Sequence, residues 1–227
     1  MKISEIFYSI QGEGMLTGVP SVFVRTSGCN LRCVWCDTPY TSWAPEGADM
    51  TVEEILAAVQ AHPARHAVVT GGEPMIAPGI VELTQGLKGG GLHITVGTAV
   101  TVYHPVACDL MSISPKLENS TPREREGGKW AAQHNRLRYQ PEILRQLMSE
   151  YEYQLKFVVA SPGDLVEIAK MIEDTHADRS RVVLMAEGTT SDVIRERALW
   201  LAEICKREGF RYSPRLHIDL WGNRRGV

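Results

Sequence analysis

Short, nearly continuous apolar runs such as HAVVT, LKFVV and RVVLM recur along this chain, separated by stretches of helical periodicity. That alternation restricts the fold more than any other feature. Strands are expected at Lys2–Ser9, Ser21–Ser27, His66–Thr70, Leu92–Gly97, Asp109–Ser114, Gln154–Ala160, Arg181–Met185 and Arg215–Leu220. Runs apolar on both faces are typical of parallel strands buried on both sides. Helices are expected after Thr51, where Thr51 and Glu54 fit a capping box ahead of ILAAV, and over Pro162–Asp174. A third helix, about Ser191–Glu208, puts Ile194, Ala198, Leu201 and Cys205 on one face. Strands alternating with helices imply βαβ units and a parallel sheet. The 227 residues fall slightly short of the roughly 250 of a closed eight-unit barrel. The expected fold is therefore α/β, a partial, open (β/α) barrel with a mainly parallel sheet, and a doubly wound sheet is the alternative.

No repeat, low-complexity tract or linker divides the chain, so one domain over residues 1–227 is expected. The segment Leu117–Arg138, with ENSTPREREGGKW, is expected to be a solvated surface excursion, with a lid as the less favoured reading. A formal charge of −3 argues against non-specific nucleic-acid binding, which needs a basic surface. No apolar run approaches the roughly 20 residues needed to span a bilayer. The opening MKISEIFYSIQGEG carries Glu5 and lacks the apolar core of a signal peptide. Five cysteines, an odd number, argue against a disulfide framework, and a cytoplasmic setting is expected. Cys108 and Cys205 sit in apolar surroundings and are read as inert thiols.

The other three cysteines form GCNLRCVWCDTPYT, a C-x3-C-x2-C spacing directly after the strand VFVRTS. Two metals compete for such a set. Structural zinc takes four protein ligands, and no fourth Cys or His follows within 20 residues, although a distant His62 or His66 would complete a knuckle. Three thiolates also suit a [4Fe–4S] cluster with one iron left open for another ligand. Downstream, AVVTGGEP ends an apolar strand in two glycines and Glu73, a place where a ligand can lie against bare backbone.

The cysteine spacing, with Trp35 before the third cysteine, resembles the radical S-adenosylmethionine (SAM) enzymes. More of the chain follows one family. FYSIQGEG, CNLRCVWCDTPYT, TGGEP, SISPKL, YQLKFVV and PRLHIDLWGNRRGV occur in this order and resemble the 7-carboxy-7-deazaguanine synthases from residue 7 to 227. One departure is Ala186 in LMAEGT, where that pattern has proline, which questions the loop geometry there.

The resemblance implies a lyase that contracts the ring of 6-carboxy-5,6,7,8-tetrahydropterin to 7-carboxy-7-deazaguanine with loss of ammonia, on the way to queuosine and other deazapurines. A 5′-deoxyadenosyl radical removes a hydrogen from the substrate, and SAM is regenerated. It implies Cys29, Cys33 and Cys36 as ligands of a [4Fe–4S] cluster and Thr38 as a ligand of Mg2+. It places Trp35, Cys36, Asp37, Gly71, Gly72, Glu73, Ser114, Pro115 and Lys116 around SAM, with Glu73 toward the methionine amino group. Ile10, Gln11, Gly12, Arg25, Thr70 and Val227 would bind substrate, Arg25 through its carboxylate and Val227 through the chain's own. Glu13 would hold or deprotonate a substrate nitrogen, while Gly12 and Gly14 let the pterin approach. An electron donor such as a flavodoxin or ferredoxin, and a homodimer, are further implications. The competing classes are an activase of a glycyl-radical enzyme and a non-catalytic iron–sulfur or zinc module.

Overall fold

A computed structural model describes residues 1–227. Its strands are β1 (Lys2–Ile10), β2 (Pro20–Thr26), β3 (Ala48–Asp49), β4 (His66–Gly71), β5 (His93–Thr98), β6 (Leu110–Ile113), β7 (Tyr153–Val159), β8 (Val182–Ala186) and β9 (Arg211–Ser213). Its α-helices are α1 (Pro39–Ser42), α2 (Val52–Gln60), α3 (Ile80–Gly89), α4 (Ala131–Leu137), α5 (Pro141–Glu150), α6 (Asp164–Thr175), α7 (Ser191–Glu208) and α8 (Leu216–Trp221). All nine strands join one sheet in the order β3-β1-β2-β4-β5-β6-β7-β8-β9. From β2 to β9 every pairing is parallel, and β1 adds to β2 and β3 in antiparallel fashion. The outermost strands β3 and β9 do not pair, so the barrel stays open. No helix is long and apolar enough to cross a membrane.

The open side is bridged by the chain between β1 and β2. Gly14 N–H donates to Ser213 Oγ on β9 (2.7 Å), and Met15 N–H to Gln154 Oε1 on β7 (2.7 Å). Gly12 O accepts from Leu216 N–H at the start of α8 (2.9 Å). The sheet is therefore curved enough for the connection after its second strand position to touch its far edge.

Side chains alternate across each strand, and this decides what each face can do. Val22 and Val24 on β2, Ala67 and Val69 on β4, Ile94 and Val96 on β5, and Leu155, Phe157 and Val159 on β7 join one apolar core. Their neighbours Phe23, Arg25, Val68, Thr70, Lys156 and Val158 line a cavity on the other face. The runs expected to be buried on both sides thus pack on one face and carry a polar site on the other. The capping box at Thr51 is formed, with Glu54 N–H on Thr51 Oγ1 (3.2 Å) and Thr51 N–H on Glu54 Oε2 (2.8 Å). Ala186 closes β8 in regular register with Val159, so the departure from proline leaves the strand undisturbed.

Two expectations are corrected. Arg215–Leu220 is helical from Leu216, because six residues with apolar Leu216, Ile218 and Leu220 satisfy a strand pattern while burying only Ile218 as a helix. Leu117–Arg138 is no solvated excursion. Its charged tip at 123–127 is exposed, but Leu117, Ser120, Thr121 and His134 are buried, and α4 seals the segment onto the cysteine loop. Phe157 is fully buried. Phe157→Ala should destabilise the chain by about 3–5 kcal/mol, measured as a lower denaturation midpoint with unchanged slope.

Candidate functional site

A cavity of about 500 Å³ lies on the polar face of the sheet, toward the carboxyl ends of the parallel strands. Ligand sites gather there in open α/β sheets because the loops that follow the strands converge. The cavity is lined by Ile10, Gln11, Gly12, Glu13, Arg25, Thr70 and Val227 of the expected substrate set. It is also lined by Cys29, Cys33, Trp35, Cys36, Asp37, Thr38, Gly71, Gly72, Ser114 and Lys116. Glu73 and Pro115 do not reach it.

At one end lie the three cysteines, all free thiols, on a loop without regular structure between β2 and α1. Burial pushes the Cys29 thiol up to about 12, helped by the Glu73 carboxylate, and burial likewise pushes Cys33 up to about 12. Cys29 Sγ accepts from Leu31 N–H (3.4 Å), and Cys36 Sγ lies 3.2 Å from Ser42 Oγ. The cavity brings together three cysteine thiols, one short of the four protein ligands of a structural zinc site. Three thiols suit a [4Fe–4S] cluster with one iron left open for another ligand. Thr38, at the start of α1, makes no cap bond with its hydroxyl, which is left to a hard cation or to Thr41 Oγ1 at 3.3 Å.

Glu73 lies behind the cavity wall and braces two strands. Fully buried, it accepts from Met75 N–H (3.0 Å) and Thr98 Oγ1 (2.9 Å) on one oxygen and from Ala99 N–H (2.7 Å) on the other. Its carboxylate ties the end of β4 to the end of β5. The adjacent Gly72 serves packing as well: a Cβ there would stand 2.0 Å from Gly28 O, at the root of the cysteine loop. Glu73 N–H donates to that same oxygen (2.9 Å). Pro115 turns away because Ser114 and Lys116 on either side face the cavity, where Lys116 Nζ caps Ser114 O (2.8 Å).

The opposite end is charged. Glu13 pairs with Lys156 and with Arg215 Nε (3.1 Å), and Arg215 also pairs with Asp37. Burial opposes the charge on Glu13, yet Lys156, Arg215 and His217 hold its carboxyl well below the usual range. Its two oxygens are held by Lys156 and Arg215 at the cavity wall. Arg215 outweighs burial at Asp37 and keeps that carboxyl low too. Arg25 lies 3.5 Å from Glu5, and its Nε is buried without a hydrogen-bond partner. The glycine loop is corrected in its reason. A Cβ on Gly12 would stand 2.0 Å from His217 Nδ1, so Gly12 makes room for the chain's own imidazole.

Lys156, Arg215 and His217 escaped the sequence reading. A lysine inside the apolar run YQLKFVV was the available signal for Lys156, since a lone charge in a buried strand needs a partner. Arg215 and His217 were hidden by the strand assignment of their segment. The tail is folded back: Arg225 pairs with Glu5 (3.3 Å) and Glu46 (3.2 Å) and stacks on Tyr40, which brings Val227 to the cavity. Because Glu73 is a strut, Glu73→Gln should lower stability by about 1–3 kcal/mol. Its SAM affinity should stay within about threefold of wild type by calorimetry, a difference below the ~1.4 kcal/mol of a tenfold change.

Residues 23–114 match the Radical SAM superfamily. A 7-carboxy-7-deazaguanine synthase of Halobacterium salinarum is 45% identical, over 98% of this chain and 91% of its own length. One from Rhodopirellula baltica is 44% identical, over 99% and 88%. The crystal structure of QueE from Escherichia coli superposes with a TM-score of 0.68 at 27% identity, covering 93% of this chain and 92% of that one. The chain belongs to the 7-carboxy-7-deazaguanine synthase family.

Proposed function

We propose that this cavity contracts 6-carboxy-5,6,7,8-tetrahydropterin to 7-carboxy-7-deazaguanine with loss of ammonia, in the biosynthesis of queuosine and related deazapurines. The observation that carries this reading is a guanidinium, Arg25, in the same cavity as three cysteine thiols. Its Nε faces Glu5 at 3.5 Å, and a planar fork lining the cavity suits a carboxylate. Cys29, Cys33 and Cys36 would hold the [4Fe–4S] cluster. Trp35, Asp37, Gly71, Gly72, Ser114 and Lys116 would surround SAM, and Thr38 would supply an oxygen to Mg2+. When bound, these cofactors supply the hydrogen-atom abstraction that begins the rearrangement.

The chain's own groups bind and orient. Arg25 takes the substrate carboxylate, and Glu13 accepts from ring nitrogens. The backbone of Ile10, Gln11 and Gly12 reads the edge of the pterin, Thr70 bonds it from the end of β4, and Val227 meets it at the rim. Burial pushes His217 down from the usual imidazole range, against the pull of Glu13. Glu73 and Pro115 support this arrangement from behind.

An external one-electron donor of the flavodoxin or ferredoxin class belongs to this reading. Five free thiols accord with a cytoplasmic location. A homodimer of one-domain chains completes the proposal.

The test is an anaerobic assay of the iron-reconstituted chain with SAM, Mg2+, a reductant and the carboxylated tetrahydropterin, with products identified by mass spectrometry. Formation of the deazaguanine acid is expected. SAM cleavage without that product would overturn the substrate, and absence of any cluster would overturn the cysteine assignment. Cys33→Ala should abolish both cluster and turnover. Arg25→Gln should keep the cluster and raise KM about 10- to 100-fold, the worth of one charged hydrogen bond.

A further inference from the structure

The loop that carries the cysteines has almost no regular structure; nearby side chains hold two of its carbonyls, Arg32 on Cys29 O (2.6 Å) and Trp43 on Cys33 O (2.9 Å), while other holding groups come from far along the chain. The peptides on both sides of Cys33 are captured by residues 117–138. Val34 N–H donates to Ser120 O (2.8 Å), and Arg32 N–H donates to His134 Nδ1 (3.1 Å). Trp35 Nε1–H adds a bond to Asn119 O (3.1 Å), and Leu137 packs on the cluster of Leu31, Cys33 and Ala99.

His134 is the one imidazole in this brace. It is buried at 1% exposure, does not line the cavity and has no part in the chemistry above. Its bonds fix its state. Because Nδ1 accepts from a peptide N–H, the ring proton is on Nε2, which donates to Ser120 Oγ (2.8 Å). Ser120 Oγ in turn donates to Leu117 O (2.6 Å). Every atom in this series has one role, so the ring is locked in place and in orientation. Its free lone pair points at the peptide between the first two cysteines.

We infer that His134 is a positioning residue for the iron–sulfur cluster, holding the Arg32 peptide so that Cys29 and Cys33 keep the spacing the cluster requires. This rests on the reading of the three cysteines as cluster ligands. His134 acts through the loop and touches neither SAM nor substrate. A merely structural histidine would contribute stability without controlling the loop.

The test compares full-length wild type, His134→Phe and His134→Asn. Phenylalanine keeps the ring volume and removes both bonds, whereas the asparagine carbonyl can stand near the place of Nδ1 and still accept from Arg32. Two quantities are read: amide exchange over residues 29–36 before reconstitution, and the rate of iron loss to a chelator afterward. His134→Phe should keep its far-UV dichroism, exchange these amides about tenfold faster and lose iron several-fold faster. The reduced cluster should also show an altered electron paramagnetic resonance signal with SAM. His134→Asn should recover most of each effect. Wild-type exchange and iron retention in His134→Phe would overturn the inference, as would failure of asparagine to improve on phenylalanine. If His134→Phe does not fold, Ser120→Ala carries the test, since it removes the Nε2 partner and leaves the ring. Faster exchange and iron loss are expected there, and unchanged values overturn the inference. If wild type itself takes up no cluster, the cysteine reading fails, while amide exchange still decides whether His134 holds the loop.

Discussion

Arg215 is the charge on which the site depends. Its guanidinium is 5% exposed, and a charge so buried is tolerated only when paired and hydrogen-bonded on several sides. Here the pairs are Glu13 and Asp37, with Gly188 O as a further acceptor. Glu13 belongs to the loop after β1, Asp37 follows the last cysteine, and Gly188 follows β8. One side chain thus joins the substrate loop, the cysteine loop and the far edge of the sheet. Lys156 completes the balance by giving Glu13 a second cation. Two carboxylates against two cations leave this group neutral, so an anionic ligand would meet Arg25, shared with Glu5 at 3.5 Å, together with Lys116 and Arg224, which also line the cavity.

Much of this was legible in the sequence because it is local. Apolar runs of five or more residues announced most of the strands, and the capping box announced α2 because both its bonds lie within four residues. The shortest strands were not legible: β3 and β9 have two and three residues, too few for any period. Helix α5 did carry a signal, with Pro141 in its first turn and Leu144 and Leu147 on its buried face.

The site divides along the same line. The cysteines, Thr38 and the two glycines were found because their motifs are contiguous, and all of them line the cavity. The bracing by Glu73 was not legible because its position in the motif is local, while its partners Thr98 and Ala99 lie at the end of β5. Ser114 and Lys116, in the segment that follows β6, line the cavity, and Pro115 between them does not. Lys156, Arg215 and His217 are contributions of tertiary structure. Nothing within ten residues of any of them names its partner, which lies 143 to 202 positions away for the first two.

The two ends of the cavity are therefore built differently. The cofactor end is made by β2, β4, β5, β6 and the cysteine loop, in consecutive parallel register, so short motifs at strand ends suffice to describe it. The substrate end is closed by β1, β7, the start of α8 and the returning tail, parts drawn from opposite ends of the chain. The two ends are not independent, because Arg215 of the closing segment also holds Asp37, the residue after the last cysteine. What closes the cavity therefore also steadies the cysteine loop. The ion network of the closure is balanced within itself, and Arg25, Lys116 and Arg224 line the cavity outside it, cations suited to a carboxylated ligand.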